Sequence, residues 1–274
     1  MPKLLRSFLF VPADRPDRIE KAAAMQTDVV VVELEDGVAP ERKAMARNHA
    51  GRMLAQLDFN GDVAVRVNRI STLNGVADIL ALAEWPHKPD MLMIPKVESA
   101  GEIQIYDSLL TEIDAQCELI PLVESSRGLQ AMTSIVTASS RISAIAFGGA
   151  DLSAELECLF AWEPLLIHRA TLVAAGALAG IPLIDAPFLE IRDNPGLANE
   201  CKRVRELGYS GKLCIHPSQL ETVNRAFSPT QEEVKRAKRI LEAVASQGSG
   251  AIAVDGRIVD GPLVVAAQHV VDIA

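Results

Sequence analysis

The chain has 274 residues, of which 49% are hydrophobic, and its formal net charge is −9. This length suits one large α/β domain with an extensive buried core. The negative charge argues against a surface that binds nucleic acid or anionic lipid, and no apolar run approaches the roughly 18 residues of a membrane span. None of the four cysteines lies in a metal-ligand spacing, so we interpret them as reduced thiols and expect a cytoplasmic protein.

Eight short apolar runs recur along the chain, about one every 25–30 residues. They begin at Phe8, Val29, Val63, Met91, Glu118, Ile142, Ile181 and Lys212. Each run is apolar almost throughout instead of alternating, which indicates a parallel strand that is covered on both faces.

Stretches with apolar residues at three- and four-residue spacing separate these runs and predict eight helices. They cover residues 16–25, 40–57, 74–82, 100–114, 128–137, 164–179, 196–207 and 218–226. Regular alternation of strand and helix allows a closed parallel barrel or a doubly wound sheet. Eight units, and no G-x-G-x-x-G motif after a strand, favour the barrel. We therefore predict a (β/α)₈ TIM barrel with a short carboxyl-terminal extension.

A glycine-containing break, QGSG at residues 247–250, follows a long charged helix that starts near Pro229. We place the barrel domain at residues 1–247 and the extension at residues 248–274. The extension has two Asp-Gly turns, so we expect a small hairpin and a helix there. It is too short for its own core, and we expect it to pack on the barrel or on a neighbouring subunit.

Charged or polar residues stand at the carboxyl end of most of the predicted strands. They are Glu35, Asp36, Arg66, Asn68, Lys96, Glu98, Glu124, Asp151, Asp185 and His216. The carboxyl ends of barrel strands meet on one face, where barrel active sites lie. Buried charges are costly unless they are paired or bound to metal. The row therefore suggests a metal ion and an anionic substrate.

Glu124 and Asp151 are one strand–helix repeat apart, which would place them on adjacent strand ends. Two carboxylates without nearby His or Cys ligands suit a hard cation, Mg²⁺ or Mn²⁺. Helix caps or arginine partners are the alternative interpretation of this pair. His216 either locks a strand-to-helix turn or acts in catalysis. Lys96 either forms a Schiff base or pairs with Glu98 or a carboxylate of the next strand.

Three residues after the first strand leave a further alternative open. Asp14, Arg15 and Arg18 could form a capping turn or part of an anion site, and the sequence favours neither.

Seven ordered motifs carry a resemblance to a known family. They are LFVPADRPDRIEKA, VVELEDGVAPERKAMAR, VRVN, MIPKVESA, PLVESSRGL, AFGGADLSAEL and GYSGKLCIHPSQLETVNRAFSPT. From Leu9 to Pro229 the chain resembles the citrate lyase β-subunit and malyl-CoA lyase family of the HpcH/HpaI aldolase superfamily. The family usually has DLED where this chain has Glu33, a departure that matters little if this side chain points away from the site.

The resemblance implies that Glu124 and Asp151 hold Mg²⁺ and that Arg66 contacts the oxo-acid part of the substrate. It also implies that an aspartate of the extension reaches the site of a neighbouring subunit. Asp260 matches that residue best, and Asp255 is the second candidate. The resemblance further implies a homo-oligomer, a trimer or a dimer of trimers.

These parts together predict a lyase that cleaves a malyl-CoA or citramalyl-CoA type thioester to acetyl-CoA and a 2-oxo acid. We expect the backbone N–H groups of Gly148, Gly149 and Ala150 to bind the substrate carboxylate. Asp260 would exchange a proton with the enolate. Glu35 and Asp36 would hold Arg66 or metal-bound water. Two alternatives stay open, an aldolase of free hydroxy-oxo acids and a subunit of a citrate lyase complex.

Overall fold

The computed structural model describes residues 3–247 and 250–274, and within them eight parallel strands close a barrel. The strands are β1 Ser7–Pro12, β2 Val29–Glu33, β3 Asp62–Arg66, β4 Met91–Ile94, β5 Glu118–Val123, β6 Ile145–Phe147, β7 Leu183–Asp185 and β8 Gly211–Cys214. Each strand pairs with the next along the chain, and β1 also pairs with β8, where Phe8 lies opposite Leu213. The predicted (β/α)₈ barrel is confirmed.

Helices follow the strands in the expected alternation. They are α1 Pro16–Ala23, α2 Lys43–Gln56, α3 Leu73–Glu84, α4 Ala100–Glu112, α5 Ser126–Gln130, α6 Met132–Val136, α7 Gly149–Glu155, α8 Trp162–Ala179, α9 Asn194–Leu207 and α10 Leu220–Phe227. The helix predicted over residues 128–137 is thus divided into α5 and α6. The apolar run from Ile142 forms only the short strand β6, because Gly148 ends it and becomes the N-cap of α7.

The inside of the barrel is an apolar core built from alternate residues of the strands. It contains Leu5, Phe8, Val29, Val31, Ala64, Met91, Met93, Ile120, Leu122, Ala144, Ala146, Ile184 and Leu213, with Phe10 packed against them. Side chains two residues apart on a strand point the same way. Glu33 therefore follows Val31 on the inner face, and Arg66 follows Ala64. The core thus ends at charged residues on the carboxyl-terminal face.

The described residues form two compact units, Leu5–Asn224 and Arg225–Ala274, and the second also includes Lys3 and Leu4. In the second unit, helices α11 Gln231–Gln247 and α12 Gly261–Asp272 pack on each other. A hairpin, β9 Ile252–Val254 and β10 Arg257–Val259, contacts α11. The predicted hairpin and helix are therefore present. The boundary at residue 248 between barrel domain and extension stays a prediction.

The turn of this hairpin explains its sequence. Asp255 and Gly256 both have left-handed backbone angles, with φ of 51° and 74°. Such an Asp-Gly pair is typical of a two-residue turn whose twist matches that of the paired strands.

Within the described residues, no helix is apolar over enough length to cross a bilayer.

A charge network whose central residues are buried joins the barrel to its outer helices between β7 and β8. Asp185 accepts hydrogen bonds from Arg169 Nε at 2.7 Å and from Lys212 Nζ at 2.5 Å. Lys212 also donates to Glu200 Oε1 at 2.7 Å. Burial disfavours the Asp185 carboxylate, but the charges of Lys212 and Arg169 prevail and lower the pKa of Asp185. The network is therefore held together by a carboxylate that faces away from the barrel interior.

We expect Asp185→Ala to lower the free energy of unfolding by about 3–5 kcal/mol, because it leaves two buried cations without their shared partner. Urea denaturation followed by circular dichroism measures this loss. Glu206→Ala is the control, since it removes only an exposed pair with Lys202 at 3.9 Å and should change stability by less than about 1 kcal/mol.

The same network predicts a pH dependence of stability. Because the folded pKa of Asp185 is lowered, its contribution is complete above the unfolded pKa of about 4 and is lost as the pH falls through the folded value. The difference between wild type and Asp185→Ala should therefore be full at pH 7 and shrink below about pH 4. A difference that does not change over this range would contradict the assignment.

Candidate active site

Arg66, the last residue of β3, is held in place at the mouth of the barrel. Its Nε donates to the Glu33 carboxylate, and its Nη1 lies 3.4 Å from Glu35 Oε2. The guanidinium stands 4.9 Å from the centre of the Phe10 ring. Burial disfavours the charged form, but the two carboxylates prevail and raise the pKa of Arg66 above its usual range. Arg66 is therefore a permanent, oriented cation in this face.

Lys96 is the second cation of the barrel mouth and follows β4. Its Nζ donates to Glu35 Oε1 at 2.7 Å and to Asp36 Oδ2 at 3.0 Å. Burial again works against the charge, but these hydrogen bonds raise the pKa of Lys96. Glu98, a partner considered from the sequence, pairs instead with Arg69 at 2.7 Å. An ammonium bound to two carboxylates is a poor Schiff-base nucleophile, so the ion-pair interpretation of Lys96 is favoured.

Glu124 and Asp151 come together beside this row of charges. Glu124 follows β5 and is 4% exposed, and its Oε1 accepts the backbone N–H of Lys96 at 2.7 Å. Asp151 is exposed and lies in the first turn of α7 instead of at a strand end. Burial, followed by contact with Asp151, raises the pKa of Glu124 to about 9. Two carboxyl groups thus share one place, where the charge of Arg66 opposes the rise in pKa without cancelling it.

The donor set fits Mg²⁺. A divalent cation between Glu124 and Asp151 would remove the repulsion that raises the pKa of Glu124. Within residues 3–247 and 250–274, no group of three or more His, Cys, Asp or Glu side chains is arranged to hold a metal. Mg²⁺ is often bound by one or two carboxylates and fills its other positions with water and substrate. Two oxygen donors beside open solvent match that habit, and they do not match a structural zinc site.

Gly148 provides space, whereas its neighbours provide donors. A Cβ on Gly148 would lie 2.3 Å from Glu124 Cβ and 2.7 Å from Glu124 Oε2. The Gly148 N–H already donates to the Val123 carbonyl at 2.8 Å, which argues against its predicted role as a donor to the substrate. Gly149 and Ala150 occupy the first turn of α7, where backbone N–H groups have no intrahelical acceptor. These two residues keep the predicted role as anion donors.

A cavity of about 600 Å³ opens beside Arg66. The residues that line it near the charges include Phe10, Glu33 and Arg66, and farther along it is lined by Arg18, Lys21, Met25 and His216. The cavity thus runs from an oriented cation to a second basic area on α1. Its size is that of a site for a sizeable small molecule.

The residues after β1 divide between the two roles considered from the sequence. Asp14 pairs with Arg42 at 2.7 Å, and Arg15 pairs with Asp17 at 3.1 Å. Arg18 lines the cavity. The first two residues therefore stabilise the loop, and Arg18 is the one placed to meet an anion.

His216 locks the turn after β8. Its Nδ1 accepts the backbone N–H of Ser218 at 3.2 Å and lies 2.8 Å from the Ser218 hydroxyl. It thereby caps the one-turn 3₁₀ helix Pro217–Gln219. The structure supports the turn-locking interpretation, and the imidazole also lines the cavity.

Two residues of the predicted row do not face the site. Asp185 points outward to Lys212, as described above. Asn68 binds the Leu34 carbonyl through Nδ2 at 2.9 Å, and its Oδ1 accepts from Lys43 Nζ at 2.5 Å. Lys43 also donates to the carbonyls of Leu34 and Glu35. These groups fix the loop after β2 and thereby position Glu35, instead of contacting a substrate.

Glu33 is the functional-site residue whose direction the sequence analysis left undecided, because the conclusion there depended on its pointing away. Instead it lies 2% exposed inside the barrel mouth and binds Arg66. The signal was available in the two-residue period of the strand, since Val31 and Glu33 must share a face. Gly37 packs against it, because a Cβ there would lie 2.7 Å from Glu33 Cγ.

The two candidate acids of the carboxyl-terminal unit differ in the partners that their side chains contact. Asp255 pairs with Arg239 at 2.9 Å within the hairpin turn. Asp260 occupies the N-cap position of α12, yet within residues 250–274 its exposed side chain makes no capping hydrogen bond. Asp260 is therefore the acid that is available for chemistry. Its participation in a site stays a prediction.

Comparison with known proteins identifies the relatives of this chain. The family model described as HpcH/HpaI aldolase/citrate lyase matches residues 6–217. The L-malyl-CoA/β-methylmalyl-CoA lyase of Cereibacter sphaeroides is 34% identical, over 93% of this chain and 90% of that protein. The human mitochondrial citramalyl-CoA lyase is 30% identical over 98% and 85%, and the citrate lyase β subunit of Leuconostoc mesenteroides is 29% identical over 99% and 94%.

Solved structures agree with this relationship. Protein CitE of Mycobacterium tuberculosis, crystallised in complex with magnesium, acetoacetate and coenzyme A, is 34% identical. The alignment covers 97% of both chains with a TM-score of 0.81. RipC of Yersinia pestis is 39% identical over 84% of this chain and 97% of that one, with a TM-score of 0.74.

We expect Gly148→Ala to weaken divalent cation binding about 10- to 100-fold, the range seen when a group that orients a metal ligand is altered. The added methyl would overlap Glu124 and push its carboxylate away from Asp151. Titration with Mn²⁺, followed by the electron paramagnetic resonance signal of the free ion, measures the affinity.

Gly101→Ala is the matched control for this substitution. It lies in α4, where the added methyl would meet only Ser99 Oγ at 3.8 Å, and it should bind Mn²⁺ like wild type. If Gly148→Ala remains folded and binds Mn²⁺ with unchanged affinity, Glu124 does not need its present position to hold a cation.

Proposed function

We propose that this chain, which belongs to the HpcH/HpaI aldolase/citrate lyase family, is a Mg²⁺-dependent carbon–carbon lyase. It cleaves a 3-hydroxyacyl-CoA thioester of the malyl-CoA or citramalyl-CoA type to acetyl-CoA and a 2-oxo acid, and the reaction is reversible. The observation that carries the proposal is the meeting of Glu124 and Asp151 beside an oriented Arg66. The named activities of the relatives support the same reaction class.

Glu124 and Asp151 hold the ion in this proposal. Bound Mg²⁺, or Mn²⁺ in its place, acts as a Lewis acid toward the hydroxyl and carboxylate oxygens of the substrate. The magnesium complexes of the Mycobacterium relative support this choice of ion. In this proposal Glu35 orients Arg66 and Lys96 at the edge of the site, and Asp36 contacts Lys96.

Arg66 stabilises negative charge as the bond between the hydroxyl-bearing carbon and the α carbon breaks. The hydroxyl group gives its proton to solvent and its carbon becomes the carbonyl carbon of the oxo acid, while the electron pair of the broken bond becomes the enolate of acetyl-CoA. A fixed guanidinium costs no reorganisation when this charge develops. Gly149 and Ala150 offer backbone N–H groups to the carboxylate of the oxo acid.

The cavity beside Arg66 supports a thioester substrate in preference to a free hydroxy acid. A volume of about 600 Å³ exceeds what a small free hydroxy-oxo acid would fill, and the lining includes Arg18 and Lys21 as well as Arg66. The two cations of α1 suit the phosphate groups of coenzyme A. Cys117, Cys158, Cys201 and Cys214 are free thiols, which fits the cytoplasmic location that we propose.

Asp260 completes the mechanism as the acid that protonates the acetyl-CoA enolate, or as the base in the condensation direction. Its exposed carboxylate at the start of α12 supports this role. We propose a homo-oligomer, a trimer or a dimer of trimers, in which Asp260 of one subunit serves the site of its neighbour.

A second candidate function is that of a β subunit in a citrate lyase complex, where a carrier protein presents the thioester. The 29% identity with the Leuconostoc citrate lyase β subunit, over 99% of this chain, is the observation that favours it. The two functions share the site and differ in whether free CoA thioesters are accepted.

A substrate panel tests the proposal. The purified chain is assayed with malyl-CoA, (S)-citramalyl-CoA and, for condensation, acetyl-CoA with glyoxylate, pyruvate or oxaloacetate. We expect turnover of at least one free CoA thioester with Mg²⁺ and a loss on the order of 10³-fold or more with EDTA. Glu124→Ala and Asp151→Ala should be similarly inactive while their circular dichroism spectra stay unchanged.

Full activity in EDTA would rule out the metal mechanism. Activity that appears only after addition of citrate lyase partner subunits would favour the second candidate. Turnover of free hydroxy-oxo acids, with none of CoA thioesters, would identify a simple aldolase.

Subunit complementation tests the role of Asp260. Asp260→Ala and Glu124→Ala should each be inactive, since each lacks one part of every site. If Asp260 serves a neighbour, mixed oligomers contain some sites with both intact residues and regain part of the activity. Co-refolded mixtures are separated by affinity tags on the two variants and then assayed. Verified mixed oligomers without activity would place Asp260 in its own chain's site or outside any site.

A further inference from the structure

Lys96 contacts both sides of the proposed metal site, although neither the family comparison nor the proposed mechanism gives it a role. Its side chain binds the carboxylates that follow β2, and its backbone N–H binds the carboxylate that follows β5. Its φ of 52° is left-handed, which is uncommon for a residue with a long side chain. A strained backbone at the mouth of a barrel is often part of a functional arrangement.

The side chain of Lys96 binds an oxygen of Glu35 that could otherwise bind the metal ion. Lys96 Nζ takes Glu35 Oε1 at 2.7 Å, and Arg66 Nη1 lies 3.4 Å from Glu35 Oε2. Glu35 is buried and close enough to Glu124 for its charge to raise the pKa of Glu124. Without these two cations, Glu35 would offer a further carboxylate to an ion held by Glu124.

The backbone N–H of Lys96 binds an oxygen of Glu124 that could otherwise bind the metal ion. Its N–H occupies Glu124 Oε1 at 2.7 Å. The other oxygen, Oε2, faces the start of α7, where a Cβ on Gly148 would lie 2.7 Å from it. Asp151 follows in the first turn of that helix. One oxygen of Glu124 is thus engaged, and the other is left on the side of Asp151.

We propose that Lys96 is a positioning residue that keeps Glu35 outside the coordination sphere and limits Glu124 to one ligand oxygen. The inference rests on the proposed function, because it assumes that Glu124 and Asp151 hold the metal. Its consequence is that coordination positions stay open for the oxygens of the substrate. Lys96 therefore lowers the affinity of the site for the ion, and the same effect leaves room on the ion for the substrate.

The test compares Mn²⁺ affinity with turnover. Lys96→Met removes the charge but keeps the stem, and it frees Glu35 Oε1. We expect it to bind Mn²⁺ about tenfold more tightly, since an added carboxylate ligand raises affinity, and to lower kcat by about 10- to 100-fold. Free Mn²⁺ is followed by electron paramagnetic resonance, and thermal denaturation checks the fold.

Three further variants separate this effect from others. Lys202→Met loses the same charge from an exposed pair on α9 and should match wild type in both measurements. Lys96→Arg keeps a cation and should restore Mn²⁺ affinity toward wild type. Adding Glu35→Gln to Lys96→Met should abolish the tighter binding, because the amide is a weaker ligand than the carboxylate.

A glycine–alanine pair tests the backbone contact. Both Lys96→Gly and Lys96→Ala lack the side chain, but only glycine adopts a φ of 52° without strain. We expect Lys96→Ala to bind Mn²⁺ more tightly than Lys96→Gly by about three- to tenfold, because its N–H is drawn away from Glu124 and both oxygens of that carboxylate then become available to the ion. Equal affinities would overturn the backbone half of the proposal.

The side-chain half is overturned if folded Lys96→Met binds Mn²⁺ as wild type does or more weakly, or if its kcat is unchanged. These outcomes differ from those expected if the proposed function is wrong. If it is wrong, wild type itself would bind no Mn²⁺, or Glu124→Ala and Asp151→Ala would bind Mn²⁺ as well as wild type does.

Discussion

Unbalanced charge at the mouth of the barrel is the constraint on which the site depends. Among the described residues there, five carboxyl groups surround two cations. They are Glu33, Glu35, Asp36, Glu124 and Asp151, with Arg66 and Lys96. The first three contact the two cations, and three carboxylates against two cations leave one negative charge in excess. Glu124 and Asp151 add to this excess, and burial, followed by contact with Asp151, raises the pKa of Glu124. A divalent cation at this place is what restores the balance.

The barrel makes this arrangement rigid, because each charge follows directly from a strand of the apolar core. Glu33 and Arg66 are the inward positions next after Val31 and Ala64. Their backbones are therefore fixed by the same ladder that closes the barrel. The loop residues depend on further contacts, and Lys43 fixes the carbonyl of Glu35 from α2. Charges that would repel one another are thus held near each other by packing that was already formed.

Strand–helix periodicity in the sequence was enough to predict the barrel, and hydrophobic runs located the face that carries the site. It was harder to predict from the sequence which acids at the strand ends point into the barrel mouth and which point outward. Asp185 and Glu35 look alike in the sequence, since each is an acid at the end of an apolar run, yet Asp185 points outward to Lys212. The position of Asp151 in a helix depends on Gly148, whose closeness to Glu124 exists only in the folded chain. Left-handed backbone at Lys96 likewise leaves no mark in a sequence.

The number of carboxylates on an ion decides what the ion can do. A cage of many carboxylates binds a hard cation tightly but leaves it few free positions. A lyase needs the opposite, because two substrate oxygens must reach the ion together. In this chain a third carboxylate, Glu35, lies nearby, and it is Lys96 and Arg66 that engage its two oxygens. In the proposed site these cations therefore do more than attract an anionic substrate, because they also keep Glu35 from binding the ion.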